Sequence, residues 1–247
     1  MIVKPKLSRS LATCCLIGAV LAGCAQPGAP VGINDPIEAT NRKVHTFNRN
    51  IDEMFLKPVA SSSNGTGEVG KRVSAFADNL GKPADIVNNV LQLRFVKATE
   101  NLMRFGVNTI FGVGGLFDVA TAAGMPLNDT DFGETLHIWG VPEGAYLEVP
   151  FMGPSTERDL AGNIVDAIID PLNQLPREEV LAATGAKVAA RIVDRSRYSD
   201  LTESVLYDSA DSYAQARLLY LQNRRFELGQ AANESSFVDP YEDPYAE

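Results

Sequence analysis

Apolar residues recur at helical spacing through most of the chain. After Asp35-Pro36-Ile37-Glu38, one face of a predicted first helix carries Ile37, Val44, Phe47, Ile51 and Met54 or Phe55. Apolar residues three or four positions apart lie on the same side of an α-helix, so this spacing is typical of an amphipathic helix. Asp35 is expected to cap it, with Pro36 in the first turn and Lys57-Pro58 at its end.

The same spacing predicts further helices. A second helix carries Val69, Val73, Phe76 and Leu80 and ends near Gly81-Lys82-Pro83, and a third runs from about Ala84 to Leu93. The remaining predicted helices cover 96–110, 163–169, 177–197 and 200–228.

The stretch from Phe105 to Leu127 stands out because its one charged residue is Asp118. By length it is sufficient to span a bilayer. However, it is interrupted by Gly112, Gly114, Gly115, Gly124 and Pro126. Glycine and proline destabilise a helix interior, so the pattern predicts two short apolar helices joined by a glycine turn. Such a hairpin is expected to insert into one membrane leaflet and not to cross both.

Four side chains of this hairpin, Phe111, Val113, Leu116 and Phe117, are expected to contact lipid or a membrane protein. Gly114 and Gly115 would form its turn. Asp118 is expected to cap a helix or to be hydrogen-bonded at the end of the hairpin, because an unpaired carboxylate is costly in apolar surroundings.

Glycine and proline recur every few residues over 129–159, which predicts an irregular segment. Within it, residues 146–151 have the composition of a short strand but no obvious partner. The pattern therefore predicts an all-α fold in a single domain over residues 35–229. The Gly-, Pro- and Ala-rich residues 24–34 indicate a flexible tether, and the five acidic and no basic residues of 230–247 indicate a disordered acidic tail.

Residues 1–23 have the pattern of a secretory signal peptide. Three basic residues precede an apolar stretch from Leu11 to Leu21, and Leu21-Ala22-Gly23-Cys24 resembles a bacterial lipobox. We therefore expect cleavage before Cys24 and its modification by S-diacylglycerol and an N-acyl chain. Cys14 and Cys15 would leave with the leader, so the mature chain would hold no free thiol for a disulfide, a thiolate metal site or a nucleophile.

Charge and composition narrow the function further. The net charge is −9, whereas a nucleic-acid-binding protein needs a basic surface, so no nucleic-acid partner is expected. Basic residues cluster at Arg191, Arg195 and Arg197 and at Arg224 and Arg225. They would either meet phospholipid head groups or form a solvated helix face.

No residue pattern of catalysis is complete in this sequence. A nucleophile elbow, a phosphate-binding loop and a dinucleotide fingerprint are all missing. His137 and Ser155 are the nearest approach to a catalytic pair, and Asp129, Asp131 and Glu134 lack the ligand spacing of a calcium loop. The two histidines, His45 and His137, are too few for a zinc site without other ligands. We expect no catalytic residues, no metal and no cofactor.

Four stretches together resemble the MlaA (VacJ) family of outer-membrane phospholipid-transport lipoproteins. The first is Asp35-Pro36-Ile37-Glu38 with Asn41-Arg42 and Phe47-Asn48. The second is Arg104-Phe105 with Asn108-Thr109 and residues 112–118 (GVGGLFD). The third is residues 131–136 (DFGETL) with Trp139-Gly140 and residues 150–159 (PFMGPSTERD). The fourth is Asp211-Ser212-Tyr213 with Arg217 and residues 220–224 (YLQNR).

This resemblance implies a ring-like helical body in the inner leaflet of a Gram-negative outer membrane, anchored on the periplasmic side beside trimeric porins. A polar passage through the ring would take phospholipids from the outer leaflet. They would then pass to a periplasmic lipid carrier protein for retrograde transport, which maintains the lipid asymmetry of the outer membrane. Two alternatives stay open: a lipid-processing hydrolase that uses Ser155 or another serine with His137, and a structural lipoprotein that braces porins.

Overall fold

The computed structural model describes residues 32–62 and 67–229. The predicted leader 1–23, the lipidation site Cys24, most of the tether 24–34 and the acidic tail 230–247 lie outside the described residues. The fold of the described ranges is mainly α-helical with one small sheet, which confirms the predicted class and adds the sheet to it.

The elements follow one another in a simple order. The helices are α1 (Glu38–Ile51), α2 (Lys57–Ser62), α3 (Glu68–Leu91), α4 (Phe95–Ile110), α5 (Val119–Ala122), α6 (Phe132–Ile138), α7 (Glu157–Ile169), α8 (Arg177–Arg197), α9 (Ser199–Glu203) and α10 (Ser212–Glu227). The strands β1 (Tyr146–Val149) and β2 (Gly153–Thr156) lie between α6 and α7. π-Helical turns occur at Asp52–Leu56 and Ser204–Asp208, and a 3₁₀ turn at Pro171–Gln174.

Helix α3 is one helix of 24 residues where the sequence predicted two. It runs through Gly81 and Pro83, so the expected break at Gly81-Lys82-Pro83 is wrong. An internal proline removes one backbone hydrogen bond and costs about 3 kcal/mol in an isolated helix. Here α3 packs along both α4 and α8, and this tertiary packing outweighs the local cost.

The expected cap on α1 is also wrong. The helix begins at Glu38 with Ile37 in the N-cap position, and no side chain caps it. The Asp35 carboxylate instead accepts hydrogen bonds from Asn41 Nδ2 at 2.9 Å and from Tyr213 and Arg217 on α10. A full charge on Arg217 attracts the carboxylate more strongly than the backbone N–H groups of a helix start. Lys57-Pro58 does not end the helical path either, because α2 begins there.

The first and last helices are joined by further contacts. Arg42 forms two hydrogen bonds with the Asp211 carboxylate, at 3.0 and 2.8 Å, and His45 Nε2 lies 3.0 Å from Ser212 Oγ. We call this set the terminal clasp: Asp35, Arg42 and His45 on one side, and Asp211, Ser212 and Arg217 on the other. Next to it lies a small hydrophobic core of Tyr146, Tyr213 and Leu221.

The short strand predicted at residues 146–151 has a partner after all. β1 pairs antiparallel with β2, with Tyr146 opposite Thr156 and Val149 opposite Gly153. The partner sequence, Gly-Pro-Ser-Thr, has one β-branched residue and begins with glycine and proline, which are depleted in strands, so the pattern did not reveal it. Residues 129–159 are thus less irregular than expected, since they also contain α6.

The predicted helix over 200–228 is interrupted. The chain leaves helical geometry at Ser209, and Asp211 caps α10 by accepting a hydrogen bond from the backbone N–H of Ala214 at 3.1 Å. The predictions of α4 and α8 agree with the structure to within a residue. No helix of the described ranges combines the length and the apolar character needed to cross a bilayer.

Candidate functional site

The distribution of polar and apolar side chains is inverted relative to a water-soluble domain. Among the described residues, nineteen buried residues are polar or charged and thirteen are apolar, seven of them alanine. Thirty-two large hydrophobic side chains are exposed at the same time. Soluble proteins bury their large apolar residues and rarely expose wide apolar patches. The molecule therefore suits apolar surroundings and encloses a polar interior.

Helix α3 supplies one wall of this interior. Asp78, Lys82, Asp85 and Asn89 recur at positions i, i+4, i+7 and i+11, so they lie on one face of the helix. With Ser74 at one end and Gln92 just past the other, this polar stripe extends over roughly 27 Å at 1.5 Å per residue. We refer to these six residues as the α3 stripe.

Lys82 is the cation at the centre of the α3 stripe. Only 3% of the residue is exposed, and its ammonium donates to Asp85 Oδ2 at 2.8 Å and to Asp129 Oδ1 at 2.5 Å. Burial raises the pKa of the Asp85 carboxyl to about 6 even though the Lys82 charge opposes this rise. The buried ammonium is thus held by one enclosed carboxylate and one on a loop.

Helix α4 supplies the adjoining wall and holds the loop that follows it. Arg104, 2% exposed, donates from Nη2 to both oxygens of Asp118 at 3.1 Å and to Thr121 Oγ1 at 2.9 Å. Asn108, one turn further along, donates to Asp118 Oδ1 at 3.1 Å. Although partial burial opposes ionisation, hydrogen bonds from Thr121 and Asn108 and the charge of Arg104 hold the pKa of the Asp118 carboxyl below its ordinary value.

Asp118 therefore behaves as the sequence predicted. It caps α5 by accepting a hydrogen bond from the backbone N–H of Thr121 at 3.0 Å, and it is fully partnered. Sequence reasoning missed Arg104 as its counter-ion. The signal was present, because Asn101, Arg104 and Asn108 recur at helical spacing opposite the apolar residues of α4.

The glycine turn lies at the predicted residues. Val113, Gly114 and Gly115 have φ angles of +54°, +72° and +98°. A Cβ on Gly115 would lie 2.6 Å from the Asn79 side chain, so a glycine is needed there for space as well as for conformation. Asn79 also donates to Thr109 Oγ1 at 3.1 Å, which fixes the turn against α3.

The two arms of the hairpin differ from the prediction of two short helices. The first arm is the end of the 16-residue helix α4, and the second is the four-residue helix α5 followed by loop. The four predicted contact residues, Phe111, Val113, Leu116 and Phe117, are exposed by 71, 65, 39 and 43%. The Arg72 guanidinium lies 4.1 Å from the centre of the Phe117 ring, which ties the base of the turn to α3. Contact with lipid stays a prediction.

Among the described residues, no hydrogen bond joins His137 to Ser155, although Asp159 and Arg224 lie near both. Ser155 is buried beside an open polar pocket of about 240 Å³, and its hydroxyl donates to the Thr156 carbonyl at 3.3 Å. Partial burial and the charge of Arg158 lower the pKa of His137. A different set has the hydrogen-bond order of a catalytic triad: His45 Nδ1 lies 3.3 Å from Glu148 Oε1, and its Nε2 lies 3.0 Å from Ser212 Oγ.

The other charged groups singled out in the sequence are mostly internal ion pairs. Arg195 pairs with Asp52 and Glu203, Arg224 with Asp131 and Asp159, and Arg225 with Glu143. Arg197 is exposed and pairs with Asp194 at the surface, and Arg191 is exposed as well. Asp129, Asp131 and Glu134 each form an ion pair with a different basic side chain, Lys82, Arg224 and Arg94 respectively. Within the described ranges, no group of three or more His, Cys, Asp or Glu side chains is placed to hold a metal ion.

The chain matches the family model described as MlaA lipoprotein over residues 33–227. It belongs to the MlaA lipoprotein family. Among its MlaA relatives is the intermembrane phospholipid transport system lipoprotein MlaA of Escherichia coli strain K12, which is 34% identical over 214 residues covering 84% of each chain. The Haemophilus influenzae protein of the same name is 30% identical over 231 residues, covering 90% of this chain and 91% of the relative.

The fold comparison agrees with the family assignment. A solved structure described as the structural basis for maintenance of bacterial outer membrane lipid asymmetry superposes with a TM-score of 0.67 at 31% identity. The match covers 78% of this chain and 98% of that one. The family resemblance stated from four sequence stretches is therefore confirmed.

Proposed function

We propose that this protein is an outer-membrane lipoprotein that gives phospholipids a polar passage out of the outer leaflet. The observation that carries the proposal is the inverted distribution of side chains: a buried polar interior inside a surface with many exposed apolar residues. Three of its relatives are named for intermembrane phospholipid transport, which supports the same function.

The physical task needs no bond chemistry. A phospholipid that leaves its leaflet must move a charged head through an apolar layer, and an unpaired charge is costly there. A ring-like helical body lying in the inner leaflet would lower this barrier, because its interior offers hydrogen bonds while its surface stays compatible with lipid. We propose that the passage runs along the α3 stripe and the inner face of α4, with Arg104 and Asp118 fixing its rim.

Two features would hold the protein to the membrane. The first is Cys24, carrying S-diacylglycerol and an N-acyl chain on the periplasmic side, since two or more chains give stable anchoring. The second is the apolar hairpin with Phe111 at its exposed turn. We further propose trimeric porins as neighbours in the membrane and a soluble periplasmic lipid carrier as the acceptor, so that phospholipids move retrograde and the asymmetry of the outer membrane is kept.

Insertion of the hairpin is testable by fluorescence quenching with brominated lipids. Trp139 is the single tryptophan, so Trp139→Phe provides a background for one new tryptophan. Phe111→Trp in this background should be strongly quenched in vesicles. The matched control is Phe226→Trp, because Phe226 is also 71% exposed but is flanked by Arg225 and Glu227 and should stay in water. Equal quenching at both positions would refute selective insertion of the hairpin.

The passage itself is testable in cells of the source bacterium that carry variants of the gene. Gly114→Val places a branched side chain at φ +72° and should distort the turn. It should raise the phospholipid that a membrane-impermeant amine reagent labels on whole cells, whereas His137→Ala should not. The opposite pattern, in which His137→Ala raises the labelled phospholipid and Gly114→Val does not, would argue against a passage.

The hydrolase alternative has one geometric observation in its favour, the order Glu148–His45–Ser212. We propose that this set is structural and that the protein is not an enzyme. The His45 side chain is only 6% exposed, its ring packs edge-on to Tyr213 at 5.6 Å, and Tyr146 already donates to Glu148 at 2.5 Å. A substrate would have little access to the proton-accepting nitrogen.

A fluorophosphonate probe separates these two functions. The purified protein should remain unlabelled, and Ser212→Ala should leave lipid transport intact in cells. Labelling that Ser212→Ala abolishes, together with release of fatty acid or lysophospholipid by the wild type, would establish a hydrolase.

A further inference from the structure

Asp78 and Lys82 place opposite charges one helical turn apart on the α3 stripe. Residues at i and i+4 of a helix have Cβ atoms about 5–6 Å apart. They are thus close enough to pair, yet Lys82 turns to Asp85 and Asp129 instead. Among the described residues, none forms a hydrogen bond or an ion pair with the Asp78 carboxylate.

Asp78 is exposed on α3, although Ser74 and Lys82, one turn to either side on the same stripe, are buried. The residue is exposed to solvent, yet surrounding protein desolvates its carboxyl and raises its pKa. Repulsion from Asp129 adds to the rise, the charge of Lys82 opposes it, and the more distant Asp194 and Asp118 contribute in the same direction as Asp129. An exposed carboxylate that is nevertheless poorly hydrated is what the wall of a narrow polar passage would present.

Lys82 can exchange one of its two partners. Asp85 is largely buried beside it, whereas the Asp129 side chain is 67% exposed on a loop. An incoming anion with acceptor oxygens would offer the ammonium the same interaction that Asp129 provides. The buried carboxylate of Asp85 would remain in place during this exchange.

Buried amide oxygens near this pair add further acceptors. Asn89 and Asn101 are fully buried, and their Oδ1 atoms accept no hydrogen bond from the described residues. Their amide nitrogens donate to the backbone carbonyls of Asp85 at 2.9 Å and Asn128 at 2.8 Å, which fixes the side-chain orientation. The polar interior therefore holds unpaired acceptors at Asn89 and Asn101 as well as an unpaired donor, Arg104 Nε.

We infer that Asp78 and Lys82 form a head-group subsite for phospholipids that carry a primary ammonium next to the phosphodiester. Lys82 binds the phosphodiester in place of Asp129, and Asp78 accepts hydrogen bonds from the ammonium. This inference rests on the proposed passage. Three carboxylates, Asp78, Asp85 and Asp129, lie around Lys82, so a head with net negative charge is disfavoured next to it relative to a zwitterionic head.

The experiment uses the full-length lipidated protein in detergent, titrated with dioctanoyl phosphatidylethanolamine and dioctanoyl phosphatidylglycerol. The wild type should bind the ethanolamine lipid about tenfold more tightly, the scale of one charge-assisted hydrogen bond. Asp78→Asn should remove this preference, because it weakens binding of the ethanolamine lipid and relieves the repulsion of the glycerol lipid. The control, Asp200→Asn, changes an exposed aspartate on α9 and should keep the preference.

Each outcome bears on a different claim. A preference that survives in Asp78→Asn, or a wild type that binds both lipids equally, would overturn the subsite while the passage stands. A wild type that binds neither lipid would overturn the passage as well. Lys82→Gln should weaken binding of both lipids, because both carry the phosphodiester. Should that variant fail to fold, Asp78→Asn alone decides, since it breaks no ion pair.

Discussion

Replacing Gly115 with alanine should destabilise the fold by about 2–3 kcal/mol. A non-glycine residue held in a sparsely populated backbone region costs about 1–3 kcal/mol, and Gly115 has φ +98°. The new Cβ would also lie 2.6 Å from the Asn79 side chain. Displacing Asn79 removes its hydrogen bond to Thr109, which contributes about 0.5–1.5 kcal/mol.

Two other glycines give matched controls for the same substitution. Gly114 has φ +72° but open space at its Cβ position, so alanine there should cost only the backbone strain of about 1–2 kcal/mol. Gly106 lies within α4 with open space and ordinary helical geometry, so alanine should stabilise by about 0.5–1 kcal/mol.

The assay is urea unfolding of the purified proteins in one detergent, followed by circular dichroism. The urea concentration at the unfolding midpoint should be highest for Gly106→Ala, lower for the wild type, lower again for Gly114→Ala and lowest for Gly115→Ala. If Gly115→Ala unfolds at the same midpoint as Gly114→Ala, the close approach of the turn to Asn79 contributes nothing and the reasoning fails.

Three further predictions concern single charged or modified groups. Arg104→Met should destabilise the fold by about 2–3 kcal/mol in urea unfolding, which is less than for a fully buried ion pair because Asp118 is partly exposed. Adding Asp118→Asn to this variant should restore part of the lost stability. An unchanged unfolding midpoint for Arg104→Met would contradict this. The pKa of Asp85 is raised to about 6, so its ionised form destabilises the fold above that pH and this cost is lost as pH falls through 6. Asp85→Asn loses the ion pair with Lys82, but its stability relative to the wild type should rise as the pH is raised from 5 to 7, and a constant difference over that range would refute the shift. Cys24→Ser should leave unprocessed precursor, whereas mass spectrometry of the native protein should find an acylated N-terminus; a mature N-terminus without acyl chains would disprove lipidation.

Elements determined by neighbouring residues were predicted correctly from the sequence. The predictions were wrong where a residue interacts with a partner far away in the chain. Helices α4 and α8 have strong periodicity and agree with the structure. Pro83 was read as a stop because the cost of an internal proline is local, whereas the packing of α3 against α4 and α8 is tertiary. Asp35 was read as a cap for the same reason, since its partner Arg217 lies far away in the chain.

The candidate site was predicted in part. The glycine turn and the capping role of Asp118 follow from residue chemistry that acts within a few positions. The polar residues of the α3 stripe recur at helical spacing in the sequence, but the helices were predicted from the apolar positions alone. The stripe matters because it is mostly buried. In a soluble helix the polar face is exposed and the apolar face is buried, so periodicity alone assigns these polar residues to the surface.

The terminal clasp has a consequence for the order of folding. Asp35 and Arg217 are 182 positions apart, so the first helix finds its charged partners only when the last helix has arrived. As the chain is made from its N-terminus, Asp35, Arg42 and His45 remain without these contacts until residues 211–217 follow. A chain cut before Asp211 would therefore lose the closure between its two ends and not simply one helix. Folding of this protein is therefore completed only when its last helix is available.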